Sequence, residues 1–374
     1  MDFARPELLG SLLAGARAAH PLLLAGPPGA GKTTLLQHAA AALARQGWVP
    51  VYIDLMGAAA SPEHFAAAVL DALPAQEFSA RLPQALEIRR LIGSGRANGA
   101  SAVRAVFSLL TSLETAAGRP VALLIDEVTE IRSLAYFDGL REVAAPFAAA
   151  LEARRQGTLL ATSFPSHARR LWSFAEITLP PLAAAELQGV AADPAALVRA
   201  SFGWPRYAAI LIDVLRDGGN LERIWAREMS LGGRLETACR HTYESLLLRS
   251  RGYGVSKALL LAVAQAEGSN LTSLYRGLGR SPGATRDYLG WLLAVDALHT
   301  VRKRYYYVDG LLRHWVRLHA RGRLATAAEV EAAARAVLAP PPVTGTVAPQ
   351  AAVPGMEEGA VEPRARAESL MEID

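Results

Sequence analysis

The run Gly26-Pro27-Pro28-Gly29-Ala30-Gly31-Lys32-Thr33 constrains this chain more than any other stretch. It fits G-x-x-x-x-G-K-[ST] at every fixed position. Leu22, Leu23, Leu24 and Ala25 precede it, a short apolar run of the kind that forms a buried parallel strand. Leu35, Leu36, Ala39, Ala40 and Leu43 follow at helical spacing. Strand, glycine loop and helix in that order bring successive N–H groups and a helix N-terminus to bear on an anion. Gly26, Gly29 and Gly31 permit positive φ and a close backbone approach. Lys32 is a point charge for the β- and γ-phosphates of a nucleotide, and the Thr33 hydroxyl is a ligand for Mg²⁺. Pro27, Pro28, Ala30 and Thr34 complete the loop and the first helical turn as candidate nucleotide contacts. The alternative is a glycine turn that binds nothing. Composition argues against it. Only three of the 39 basic Lys and Arg residues are lysines, and one of those three stands at position 32.

The second informative stretch is Val121-Ala122-Leu123-Leu124-Ile125-Asp126-Glu127, an apolar run ending in two carboxylates. Ligands of parallel sheets bind beyond the carboxyl ends of the strands, so this pair belongs on the same rim as the glycine loop. Asp126 is then the second Mg²⁺ residue, and Glu127 the base that orients and deprotonates an attacking water. An acidic pair capping the next helix is the competing reading. Gly157 to Phe164 reads as a further strand ending in hydroxyls. Thr162 or Ser163 would contact the γ-phosphate or the water; a turn or cap role is the alternative for either. Together with Trp48–Met56 and Glu176–Leu182 these runs make five strands alternating with helices, an α/β sheet.

Residues 183–250 read as helical, punctuated by Pro194, Gly203 and Pro205. Charge then becomes uneven. Residues 1–234 hold 22 basic and 21 acidic side chains, whereas residues 235–323 hold 14 against 6, a net +8. Within that basic block the pattern predicts helices over Val255–Ala266, Leu271–Leu278 and Ala284–Leu298. A β-hairpin, His299 to Val308, follows with a basic tip. Helix, helix, turn, helix, hairpin is the order of a winged helix-turn-helix. Ser281, Thr285 and Arg286 at the start of the third helix are candidate base contacts. Arg302, Lys303 and Arg304 on the hairpin are candidate phosphate contacts. Winged helices also serve as protein-binding modules, and basic hairpins as solvated edges. From about residue 340 the chain is Pro-rich and then acidic, the composition of a disordered tail.

One cysteine, Cys239, excludes an internal disulfide and a cysteine-based zinc site and fits a reducing, cytoplasmic setting. The first apolar run is too short for a membrane span, and no secretory signal is visible.

These motifs together resemble the archaeal-type ATPase family, which groups with the STAND and initiator-type branches of the AAA+-related P-loop ATPases. Phe3-Ala4-Arg5-Pro6-Glu7-Leu8 is similar to the family's opening motif, with Ala4 where glycine is usual. Gly203-Trp204-Pro205-Arg206-Tyr207 and Tyr307 to Trp315 also carry the resemblance. It implies a parallel sheet of order 5-1-4-3-2 over residues 1–182, a helical lid over 183–250 and a winged helix over 251–323. It implies that Pro205 and Arg206 lie near the nucleotide, and it favours ATP over GTP. It also implies an arginine finger offered to a neighbouring subunit, with Arg169 and Arg170 in the matching place. The activity expected is slow, partner-stimulated ATP hydrolysis coupled to DNA binding. A nucleotide-dependent protein-interaction switch is the alternative.

Overall fold

The computed structural model describes residue 3 and residues 5–78, 83–93 and 98–340. The expected tail therefore lies outside the described residues, apart from its first residue. Five strands form one parallel sheet: β1 (Leu22–Ala25), β2 (Val49–Asp54), β3 (Val121–Asp126), β4 (Thr158–Thr162) and β5 (Ala175–Thr178). Their order is β2-β3-β4-β1-β5, which is the expected 5-1-4-3-2 read from the other edge.

Apolar side chains cover both faces of this sheet, as a parallel sheet requires. Leu22 and Leu24 of β1, Ala122 and Leu124 of β3, and Leu159 and Ala161 of β4 enter one core. Leu23, Leu123, Ile125 and Leu160, one residue out of phase, enter the other. Pro50, which cannot donate to a ladder, sits on β2 at the sheet edge. Register sets the functional rim. Ala25 lies opposite Thr162 and Asp54 opposite Asp126, so the segments that follow β1, β3 and β4 emerge side by side.

Element boundaries depart from the sequence pattern where capping or proline intervenes. The fifth strand ends at Thr178 rather than Leu182, ahead of Pro180 and Pro181. The helical stretch from residue 99 to 117 divides at Ser112 into Gly99–Thr111 and Leu113–Ala117. Residues 128–136 wind as a 3₁₀ helix before the α-helix Ala144–Glu152.

Helices Pro194–Ser201, Pro205–Leu215, Leu221–Met229 and Arg234–Arg249 follow the sheet. Then come helices Tyr253–Gln265, Leu271–Gly277 and Pro282–Ala294, with three short strands: β6 (Ser269–Asn270), β7 (Leu298–Val301) and β8 (Arg304–Tyr307). The strands pair antiparallel in the order β6-β8-β7. Asn270 and Ser281 cap their helices through side-chain oxygens, as their residue types favour. A final helix, Ala327–Leu338, opens with a Thr326/Glu329 capping box.

The apolar core does not stop between these parts. A single cluster runs from Leu24 and Leu36 under the sheet through Tyr207, Trp225 and Tyr243 to Leu289 and Trp315. Residues up to 339 form one compact unit. No helix among the described residues is long and apolar enough to cross a membrane.

Candidate nucleotide site

Gly29 and Gly31 take φ of 84° and 90°, so the loop between β1 and the helix Lys32–Arg45 turns as its glycines allow. At Gly29 a second constraint acts, because a Cβ there would lie 2.9 Å from Cβ of Arg206. The Arg206 N–H in turn donates to the Gly29 carbonyl at 3.1 Å. Gly203, at φ 71°, makes this approach possible: a Cβ there would meet Pro181 at 2.6 Å. Pro205, at the first position of its helix, packs beside Gly31. Pro205 and Arg206 thus lie against the loop.

Lys32 is buried. Its ammonium donates to the carbonyls of Gly26 and Pro27 at 3.0 and 3.1 Å and to Ser163 Oγ at 2.8 Å. The Glu127 carboxylate lies 3.9 Å away. Glu127 accepts from the Ser163 N–H at 2.9 Å and also from the Ser163 hydroxyl. It holds a left-handed backbone, φ 48° and ψ 48°, which is uncommon for a residue with a long side chain. Such outliers cluster at functional sites. Burial pushes the Glu127 carboxyl above its ordinary range, opposed by the Lys32 charge and the Ser163 hydrogen bonds. Burial pushes Lys32 down, opposed by Glu127 and Asp126. A carboxylate so placed is better matched to taking a proton near neutral pH than a solvated one.

Thr33 Oγ1 donates to Asp126 Oδ2 at 2.5 Å, and the Tyr52 hydroxyl donates to the same oxygen at 3.0 Å. Burial and the neighbouring carboxylate raise the Tyr52 pKa, so it stays a donor. Thr33 and Asp126 offer hard oxygen donors side by side, which fits Mg²⁺.

A cavity of about 410 Å³ opens over the loop. Glu127, Ser163, Thr34 and Arg206 line it, together with residues that the sequence did not single out: His241, Thr242, Ser245 and Arg249. These four come from one helix, Arg234–Arg249, and no local motif marks them. Arg249 lies with its guanidinium 4.5 Å from the Phe164 ring centroid and pairs with Glu130 at 2.6 Å. Phe3 and Arg5 of the opening motif also border the cavity. Arg5 donates to Glu186 and to the Pro180 carbonyl, both at 2.8 Å, while its Nη1 is buried without a partner among the described residues. An orphaned buried donor beside this cavity fits an acceptor-rich ligand such as a nucleotide.

Of the remaining candidates, Thr162 and Thr285 are buried. Thr162 is fully buried; its hydroxyl accepts from the Phe164 N–H at 3.0 Å and pairs with Thr129. It is a turn hydroxyl, not a phosphate contact. Arg169 is exposed and pairs with Glu176 at 2.5 Å. Thr285 is fully buried, its hydroxyl bonded to the Ser281 carbonyl at 2.9 Å, so it does not face a base. Arg304 is exposed on the hairpin and donates to the Gly268 carbonyl at 2.8 Å. Arg170, Ser281, Arg286, Arg302 and Lys303 remain exposed, with Arg170 lining a second cavity.

Residues 6–136 match the family model of the AAA ATPase domain. Among solved structures, a Walker-type ATPase of Pyrococcus abyssi is 17% identical, with 84% of this chain and 96% of that one covered at a TM-score of 0.67. The ORC2 protein of Aeropyrum pernix, solved with ADPNP and ADP, is 14% identical over 88% of this chain and 90% of its own, at a looser TM-score of 0.46. A search among curated proteins returns no match. Sheet order, glycine loop and acid pair define a P-loop domain of the AAA+ class. Over 84% of its length the chain shares the fold of the Pyrococcus abyssi Walker-type ATPase.

Proposed function

We propose that this protein binds and hydrolyses ATP at the Gly26–Thr33 loop and that the nucleotide state governs a C-terminal winged helix that contacts duplex DNA. One observation carries the hydrolytic reading: Lys32, Ser163 and Glu127 form a connected, buried set at the rim where Thr33 meets Asp126. Thr33 and Asp126 would hold Mg²⁺, which supplies charge against the β- and γ-phosphates. Lys32 binds the phosphates, Glu127 takes the proton of the attacking water, and Ser163 fixes the Glu127 carboxylate in place. Residues 183–250 act as the lid, bringing Arg206 and Arg249 to the cavity.

The DNA reading rests on helices Leu271–Gly277 and Pro282–Ala294, the β7–β8 hairpin and the net +8 of residues 235–323. Ser281, Arg286, Arg302 and Lys303 are its contact residues. A specific contact favours a second reading, a protein-interaction switch. Asp296, just after the helix Pro282–Ala294, accepts from the N–H and hydroxyl of Ser166 at 3.0 and 2.6 Å. That bond docks the third helix against the segment after β4 and so ties it to the nucleotide rim.

Two variants test the core. Lys32→Ala abolishes binding of a fluorescent ATP analogue. Glu127→Gln keeps that binding and loses turnover by about 100-fold or more. Normal turnover in Glu127→Gln removes the base assignment. For the module, Arg286→Ala/Arg302→Ala/Lys303→Ala weakens duplex binding and flattens its salt dependence. Unchanged binding leaves the protein switch.

A further inference from the structure

A second cavity, of about 770 Å³, lies beyond Phe164 from the phosphate loop, between the 3₁₀ helix Val128–Tyr136, the helix Pro165–Leu171 and the end of the helix Pro282–Ala294. Four arginines line it: Arg132, Arg170, Arg249 and Arg251. One carboxylate, Glu130, lines it too, and Glu130 is paired with Arg249. Arg132, Arg170 and Arg251 are exposed and make no ion pair among the described residues, unlike the exposed Arg169, Arg234 and Arg323. His167 stands in the same wall. Burial, then Arg132, Arg170 and Arg249, lower its pKa, so it adds no charge of its own. The uncompensated charge is therefore that of three guanidinium groups, whose forked donors suit phosphate oxygens.

Two aromatic side chains complete the groove. Tyr136 is 93% exposed, an unusual position for a ring that packs against nothing. Trp291 is the one tryptophan of six that is not buried; it meets Tyr288 at a steep interplanar angle and lines the groove. Arginines for a backbone beside aromatic rings for bases make the combination that binds unpaired strands. A duplex keeps its base faces stacked inside and has none to offer such rings.

We propose that this groove binds single-stranded nucleic acid, with Arg132, Arg170 and Arg251 on the phosphates and Trp291 and Tyr136 against the bases. The site is separate from the duplex surface of the hairpin and does not depend on it. Arg249 lines both cavities, so strand and nucleotide share a wall.

The full-length protein is titrated into a labelled oligothymidylate, and anisotropy is followed across a salt series. Arg132→Ala/Arg170→Ala/Arg251→Ala weakens binding at least tenfold and lowers the salt slope by about 2, the value for three single-strand phosphate contacts. The corresponding triple lysine variant keeps the slope, which separates lost contacts from lost fold. Binding quenches tryptophan fluorescence in the wild type, and Trp291→Phe removes the quench. The hairpin variant Arg302→Ala/Lys303→Ala retains oligothymidylate binding, so failure of the duplex reading leaves this one standing. Wild-type affinity in the triple alanine variant overturns the proposal. So does equal competition by duplex DNA, displacement by inorganic triphosphate at the strand's own concentration, or the absence of any Trp291 quench.

Discussion

Thr162 and Ser163 are adjacent hydroxyl residues at the end of β4, and strand alternation sends them to different surroundings. Thr162 turns into the sheet and holds the Phe164 N–H; Ser163 stands on the rim between Lys32 and Glu127. Their variants should separate accordingly. Thr162→Val leaves a buried N–H unpaired and costs about 1–3 kcal/mol in chemical denaturation, with turnover per folded molecule unchanged. Ser163→Ala leaves stability nearly intact and frees the Glu127 carboxylate to swing, which lowers kcat by up to about 100-fold with little change in nucleotide affinity. Steady-state kinetics on both variants reads the difference, and equal kcat values would remove Ser163 from the site.

At the scale of elements, what could be read from the sequence was local. The glycine loop and the acid pair each complete their geometry within a few residues, so adjacent letters specify them. Distance from the helix start does not fix the surroundings of Thr285; its helical face does. With Leu289 and Leu292 it stands at i, i+4 and i+7, the buried face. His241, Thr242 and Arg249 reach the cavity only because one helix packs over the loop from more than two hundred residues away in sequence, and no pattern in that helix records its neighbour. The β7–β8 hairpin shows the opposite tension, between sequence and local preference. Its two-residue turn places Arg302 and Lys303 at φ 49° and 64°, where Asn-Gly is favoured. Arg302→Asn/Lys303→Gly should therefore stabilise the chain by about 1–2 kcal/mol, measured by denaturant unfolding, while weakening duplex DNA binding. A stabilised variant with undiminished duplex affinity would mean that the basic turn has no part in that binding.

Across the whole molecule, one continuous core joins the sheet to the C-terminal helices, and one of the polar links that accompany it is Asp296 to Ser166. Asp296 is largely enclosed and takes a left-handed backbone at φ 53°. Desolvation raises its pKa to about 6, against the pull of the Ser166 hydrogen bonds and Arg169 and with a small push from Glu176. A carboxyl that is a weaker acid folded than unfolded favours the folded chain most when protonated. Its contribution is fully present below about pH 4 and is lost as pH rises through about 6, a change of about 2–3 kcal/mol. Other groups titrate as well, among them His167, whose pKa burial and the nearby arginines lower, so the wild-type curve alone does not isolate this one. Asp296→Asn does. Asparagine keeps the shape, tolerates the left-handed backbone and still bonds Ser166, but carries no charge to desolvate. The thermal midpoint of Asp296→Asn should exceed that of the wild type by a few degrees at pH 7.5, and the two should converge near pH 4.5. A constant offset across that range would mean that Asp296 is not the titrating group, and a lower midpoint at pH 7.5 would mean that the ionised carboxylate itself holds the C-terminal helices to the sheet.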